Sequence, residues 1–338
     1  MEHEYISFAY LLGQTEKRFL KHSFGYIEIC SNQIELLYLV CFGSCIVDSL
    51  PENEKTVGEV TVLLEKSLYE MRMERESFNE DNPVSINSPM YVKGCNNKIL
   101  YFRESEVMIT HYPFQKISVF SKKSFSYTAI VGWQKDVVEE MKCGIKRCLS
   151  ALYSSFGFLS FHAMCVSVGG KSKVFVASSR QGKSTLYANL ISDGALHVSD
   201  DIVLSREENG TLFTIPVPVL PSIRKESINF LSEKVRLKKE LVELDGINSE
   251  FLTLDGLEPI NMSESQVDKF FILKKEKSKG CLSDTDIKKT LAKSMLWYMR
   301  DASYEELLSN INSLLSHNWG YFYLSPDCKK NIELFKKS

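Results

Sequence analysis

Ser179-Arg180-Gln181-Gly182-Lys183-Ser184-Thr185 is the stretch on which the reading of this 338-residue chain turns. Before it, Lys173 to Ala177 is a short run of strand formers, and after it Thr185 to Ile191 has the composition of the first turns of a helix. A strand that ends in a small polar turn and continues as a helix aims several backbone N–H groups at one point, at the positive end of the helix dipole. An anion binds there. Lys183 adds a point charge for the β and γ phosphates of a nucleotide, Ser184 a hydroxyl for Mg2+, and Gly182 a close backbone approach. Ser178, Ser179, Arg180, Gln181 and Thr185 complete the expected nucleotide cradle.

A Gly-Lys-Ser/Thr triplet arises by composition alone in roughly one chain in six of this length, so its setting between strand and helix is what gives it weight. The full pattern G-x-x-x-x-G-K-S/T is not met: Ala177 stands where glycine is wanted, and Arg180 and Gln181 fill the middle. If the backbone at Ala177 needs a positive φ, the misfit costs about 1–2 kcal/mol and weaker nucleotide binding follows. Arg180 either contacts a phosphate oxygen or points to solvent, and the sequence leaves both open.

Around this stretch, Ala163 to Val168 reads as a strand, Gly169-Gly170 as a turn, and Leu196 to Leu204 as a strand interrupted by Asp200-Asp201. Buried carboxylates are unfavourable unless something binds them, and a Mg2+ ion would supply the charge. Neighbouring residues of a strand face opposite ways, so at most one acid faces the phosphates unless the strand ends there. The plain alternative is a strand end with two solvated acids.

An apolar share of 44%, a charged share of 25% and a net charge of −2 describe a packed globular chain with no basic field, so neither nucleic acid nor an anionic membrane is an expected partner. Nine scattered cysteines show no metal spacing and read as reduced core residues. The start of the chain lacks the order of a signal peptide, and Ile34 to Val47 is too short to cross a bilayer, so a cytoplasmic protein is expected. In the first part, the runs 99–102, 107–110, 117–120 and 127–131 are β-prone, and 79–89 is a polar loop. Met141, Ile145, Cys148, Leu149 and Leu152 put a helix over 137–152. Tyr304 to Leu315 is a second amphipathic helix and Tyr321 to Leu324 a last strand. The expected organisation is an N-terminal α+β domain over 1–134, suited to partner recognition, and an α/β nucleotide-binding domain with a mixed sheet over 135–338.

The order Phe161-His162-Ala163, Gly169-Gly170, Val174-Phe175-Val176, Gly182-Lys183-Ser184-Thr185-Leu186 and Ser199-Asp200-Asp201 resembles the HPr-kinase-like family. The likeness continues weakly through Pro216, Pro218 and Pro221 to Ile223-Arg224 and to Tyr321 through Pro326. It implies a fold related to phosphoenolpyruvate carboxykinase, ATP and Mg2+ as cofactors, and phosphorylation of a serine-type hydroxyl in a peptide, small protein or metabolite, with peptide natural-product tailoring as one setting. By position, one of Asp200 and Asp201 is the general base and the other helps Ser184 hold Mg2+, with Asp201 favoured as base. His162 and Lys183 stand at the transferred phosphate, and Arg224 contacts it. Oligomers occur among similar proteins, so a homo-oligomer is an expectation of the resemblance alone. The competing reading is a non-catalytic nucleotide- or peptide-binding accessory protein with a degenerate loop.

Overall fold

The computed structural model describes residues 15–64, 98–102, 107–112, 116–123, 126–131, 136–177, 181–244, 246–257, 263–275, 282–295 and 304–338. Ser178, Ser179, Arg180 and the polar run 79–89 lie outside the described residues. The chain forms two compact units, residues 1–152 with 241–250 and residues 153–240 with 251–338. The expected boundary at 134/135 precedes the helix Val137–Ser155, whereas the contacts divide the chain near the end of that helix.

In the first unit, β1 (Glu16–His22), β2 (Gly25–Ser31), β3 (Ile46–Val47), β4 (Thr56–Leu64), β5 (Lys98–Phe102), β6 (Val107–Tyr112), β7 (Lys116–Lys123) and β8 (Ser126–Val131) make one mixed sheet in the order β3-β1-β2-β4-β8-β7-β6-β5. Its parallel joints are β2–β4 and β4–β8. The short helix α1 (Leu37–Val40) lies in the apolar segment expected as core, with Ile34, Leu36, Leu37 and Val40 buried. Helix α2 (Val137–Ser155) buries Met141, Ile145, Cys148, Leu149 and Leu152 along one stripe. Gly144 permits its approach to β4, because a Cβ there would stand 2.7 Å from a Val62 methyl.

The second unit is a three-layer α/β structure. Its sheet comprises β9 (Leu159–Phe161), β10 (Ala163–Val168), β11 (Lys171–Val176), β12 (Leu196–Ser199), β13 (Val203–Glu208), β14 (Thr211–Ile215), β17 (Ser265–Lys274) and β18 (Trp319–Tyr323). The order is β12-β10-β11-β17-β14-β13-β9, and β18 also pairs with β17. β15 (Leu237–Leu244) and β16 (Ile247–Leu254) form a separate two-stranded sheet, of which residues 241–250 belong to the first unit. Side chains alternate with the pleat. Ala163, Cys165, Val174, Val176, Phe270 and Ile272 face α4 (Asp284–Met295) and α5 (Tyr304–Leu315). Met164, Val166, Phe175, Ala177, Phe271 and Leu273 face α3 (Lys183–Ser192) and α6 (Cys328–Lys337). Two covered faces explain why β10 from Ala163 to Val166 and β11 from Val174 to Val176 are apolar without interruption. Phe175 anchors the second layer, with ring centroids 5.0 Å from Phe271, 5.3 Å from Phe322 and 6.1 Å from Phe335.

The sheet curls until its ends meet. β9 closes one end of the strand order, β10 lies next to the other end, and His162 alone separates them in sequence. Successive Cα atoms are about 3.8 Å apart, so a single residue cannot join those strands unless the sheet closes on itself there. Asp200, Asp201 and Ile202 make a second crossing of the same kind, from β12 to β13.

This corrects the expectation of one strand over 196–204. It is two strands in different parts of the sheet, broken at the acids, where Ser199 Oγ donates to the Ile202 carbonyl. The last strand begins at Trp319 rather than Tyr321, and α4 and α6 had no counterpart in the sequence reading.

Candidate functional site

The two crossings build the site. His162 is gripped on both sides by Ser294 of α4: its N–H donates to the Ser294 carbonyl at 3.1 Å and its carbonyl accepts from Ser294 Oγ at 2.8 Å. Its imidazole is thereby held at the gap between the sheet ends. Asp201 enters the same gap with a left-handed backbone, φ 85°. An aspartate tolerates that region better than most residues, but it remains strained. The turn carries its carboxylate to 2.9 Å from His162 Nδ1.

Lys183 reaches the imidazole from the other side. Its Nζ lies 2.6 Å from His162 Nε2 and 2.9 Å from the Ala177 carbonyl. An ammonium group only donates, so Nε2 is the acceptor of the Lys183 contact, while the Asp201 carboxylate stands beside Nδ1. Carboxylate, imidazole and ammonium thus stand in line. Lys183 is buried, at 7% exposure, yet opens onto the site.

Gly182 is the N-cap of α3, with φ 94°. Glycine takes this conformation without strain, and a Cβ would also meet a Leu324 methyl at 3.0 Å. The glycine thus turns the chain from β11 into the helix and leaves its first N–H groups facing outward. Ala177 is not among the residues with positive φ, so the penalty foreseen there does not arise. Its carbonyl instead holds Lys183.

The second acid plays a different part. Asp200 is buried, at 4% exposure, and accepts from Ser184 Oγ at 3.3 Å. Because the strand stops at Ser199, the alternation of an unbroken strand no longer fixes the two acids, and Asp200 meets Ser184 while Asp201 meets His162. Adjacent oxygens on an octahedral Mg2+ stand about 3 Å apart, so Ser184 and Asp200 are spaced as two such ligands. Among the described residues there is no cluster of three or more histidine, cysteine, aspartate or glutamate side chains that would hold a metal without help from a phosphate. Behind Asp200, the Tyr187 hydroxyl bonds His197 Nδ1, and His197 Nε2 lies 3.2 Å from the Val217 carbonyl. Burial, with the Asp200 charge adding to it, pushes the Tyr187 phenol well above its ordinary pKa, so it stays a donor. Cys165, on β10, is pushed up to about 12 by burial and is no nucleophile at neutral pH.

His162, Gln181, Lys183, Ser184, Thr185 and Asp201, among others, line one cleft of about 780 Å3. Exposed Arg224 and Lys275 stand on its walls. The structure therefore brings together Asp201, His162, Lys183, Gln181, Gly182, Ser184, Thr185 and Arg224, and sets Asp200 against Ser184. Two buried asparagines escaped the sequence reading. Asn189, on α3, accepts from Ser232 N at 2.7 Å and donates to the Phe230 carbonyl at 3.2 Å, fixing one wall. Asn331, on α6, accepts from Ser325 N at 2.7 Å and donates to the Ser325 carbonyl at 2.9 Å, fixing the other. The signal for Asn189 was an amide inside the otherwise apolar run Leu186–Ile191.

No protein-family model matches the chain, and no curated protein matches it. Among solved structures, the HPr(Ser) kinase/phosphatase from Coxiella burnetii is similar at 20% identity over 34% of this chain, with a TM-score of 0.21. The alignment spans 65% of that protein, just under two thirds of its length. No described helix is long and apolar enough to cross a membrane.

Proposed function

We propose that the second unit is an ATP- and Mg2+-dependent phosphotransferase that moves the γ-phosphoryl group to a serine-type hydroxyl, on a phosphoenolpyruvate carboxykinase-like frame. The observation that supports it is the Asp201–His162–Lys183 chain at the mouth of a glycine-capped helix, with Ser184 and Asp200 paired beside it. The N–H groups of α3, Lys183 and Arg224 receive the phosphates. Ser184 and Asp200 would hold Mg2+, which would supply further positive charge to the phosphates. Lys183 exchanges its resting contacts with His162 and Ala177 for a phosphate oxygen. Asp201, held beside His162, accepts the proton of the incoming hydroxyl as its oxygen bonds to the γ-phosphorus and the bond to ADP breaks, and Lys183 offsets the charge on the phosphate oxygens.

The acceptor we infer is a peptide, small protein or hydroxyl metabolite, with a peptide in a natural-product setting as the preferred case. The first unit, distinct in sequence from the motif-bearing part, is then the partner-recognition module. A second reading, an accessory protein that binds nucleotide without turnover, is favoured by one observation: Lys183 is already held by two acceptors at rest.

Calorimetric titration of ATP with Mg2+ tests the proposal. Wild type should bind, and Lys183→Ala should bind about ten- to a hundred-fold more weakly, the worth of a charged hydrogen bond. Absence of wild-type binding at millimolar ATP would sink it, and binding with no ATP turnover, unaffected by Asp201→Asn, would leave the accessory reading.

A further inference from the structure

One wall of the cleft carries an aromatic ring with no role in the chemistry above. Phe230 closes the 3-10 turn Lys225–Phe230, is 55% exposed, and lines the same cleft as Lys183 and Ser184. An aromatic side chain left open in a cleft loses the burial that would otherwise stabilise it. Its next neighbour, Leu231, packs into the core shared with α3, so the ring is turned away from that core. The backbone that carries it is pinned: Asn189, 1% exposed, bonds both the Phe230 carbonyl and the Ser232 N–H. The ring is thus presented from a rigid support.

Its distance from the phosphate end is set by two independent rulers. Asn189 lies six residues along α3 from Lys183, about 9 Å at 1.5 Å per residue. Arg224 lies six residues before Phe230 across the 3-10 turn, about 12 Å at 2.0 Å per residue. The first separates Lys183 from the residue that holds the Phe230 backbone and the second separates Arg224 from Phe230 itself, and both backbone separations are of the order of a triphosphate and a sugar. We infer that Phe230 is the platform on which the base of the bound nucleotide stacks. The inference rests on the phosphotransferase reading, since it takes the phosphate end from it.

The test separates the two. MgATP and magnesium tripolyphosphate, which has the phosphates and no base, are titrated into wild type, Phe230→Ala and Phe230→Trp. Phe230 is exposed, so neither variant should shift the melting curve. Phe230→Ala should weaken ATP binding about tenfold, as loss of one aromatic–base stack does, and leave tripolyphosphate binding unchanged. Phe230→Trp should restore ATP affinity, and its added fluorescence should be quenched by ATP and not by tripolyphosphate. Unchanged ATP binding in Phe230→Ala, or an equal loss for both ligands, overturns the stacking proposal alone. Wild type that binds neither ligand overturns it together with the phosphotransferase reading.

Discussion

Two residues of this site share a backbone conformation and differ in everything else. Gly182, at φ 94°, turns the chain into α3, and Asp201, at φ 85°, turns it from β12 toward β13. At Gly182 the turn is what matters, and a Cβ would crowd a Leu324 methyl at 3.0 Å. At Asp201 the bent residue must also carry a carboxylate to His162, so a side chain is kept where its backbone costs about 1–2 kcal/mol. Strain retained at a position where glycine would relieve it marks the residue whose side chain is needed.

The hardest test of this contrast removes the charge at Asp201 and keeps the backbone. Asparagine tolerates the left-handed region, so Asp201→Asn should fold almost as wild type. If Asp201 is the base, phosphoryl transfer falls about 10²- to 10⁴-fold while ATP affinity stays within a few-fold. Turnover and calorimetry on one preparation check both. A variant that keeps its turnover would reassign the strain to a structural purpose.

At Gly182 the loss is expected in the fold first. Gly182→Ala adds a Cβ in a left-handed conformation against Leu324, and should destabilise the protein by about 2 kcal/mol. Urea denaturation measures it. ATP binding should fall as well, because any relief moves the first turn of α3.

These two positions also show what sequence can and cannot reveal. Gly182, Lys183 and Ser184 were legible because a local motif, strand to turn to helix, fixes their job within a few residues. The two layers of core were legible in the apolar runs of β10 and β11. The partnership of His162 with Asp201 was not derivable from spacing, because it depends on β9 and β10 lying at different ends of a curled sheet. The same closure breaks the strand at Asp200-Asp201, where the apolar flanks Val198 and Ile202-Val203-Leu204 suggested continuity. Asn189 acts on Phe230 and Ser232, far along the chain, so the amide in an apolar run marked a buried polar group without naming its partner, whereas Asn331 acts on nearby Ser325.

A smaller effect separates backbone from side chain at Asp201. Asp201→Ala and Asp201→Asn should be equally inactive, yet alanine has no short polar side chain to satisfy a left-handed backbone. The alanine variant should therefore be about 1 kcal/mol less stable than the asparagine variant. Equal stability would mean that the turn relaxes once the contact with His162 is gone.

The smallest effect lies at the opposite end of α3, where an acid again sits in an awkward place with no catalytic demand on it. Asp193 is the C-cap residue, and a negative charge there opposes the helix dipole. Lys336 at 2.6 Å and Lys234 at 3.1 Å offset it, tying α6 and the segment before β15 to the helix. Lys336 foremost, and then Lys234, holds the Asp193 carboxyl below its ordinary pKa of 3.8. The folded pKa is depressed, so the pair's stabilisation is complete above the unfolded value and is lost as pH falls through the folded one. Asp193→Asn should cost about 0.5–1 kcal/mol near neutrality. Its stability should converge on wild type as the pH drops below 3.8, with turnover unaffected at neutral pH. A gap that persists in acid would assign the effect to Asp193 hydrogen bonding rather than charge, and a loss of turnover would show that this end of α3 shapes the phosphate end as well.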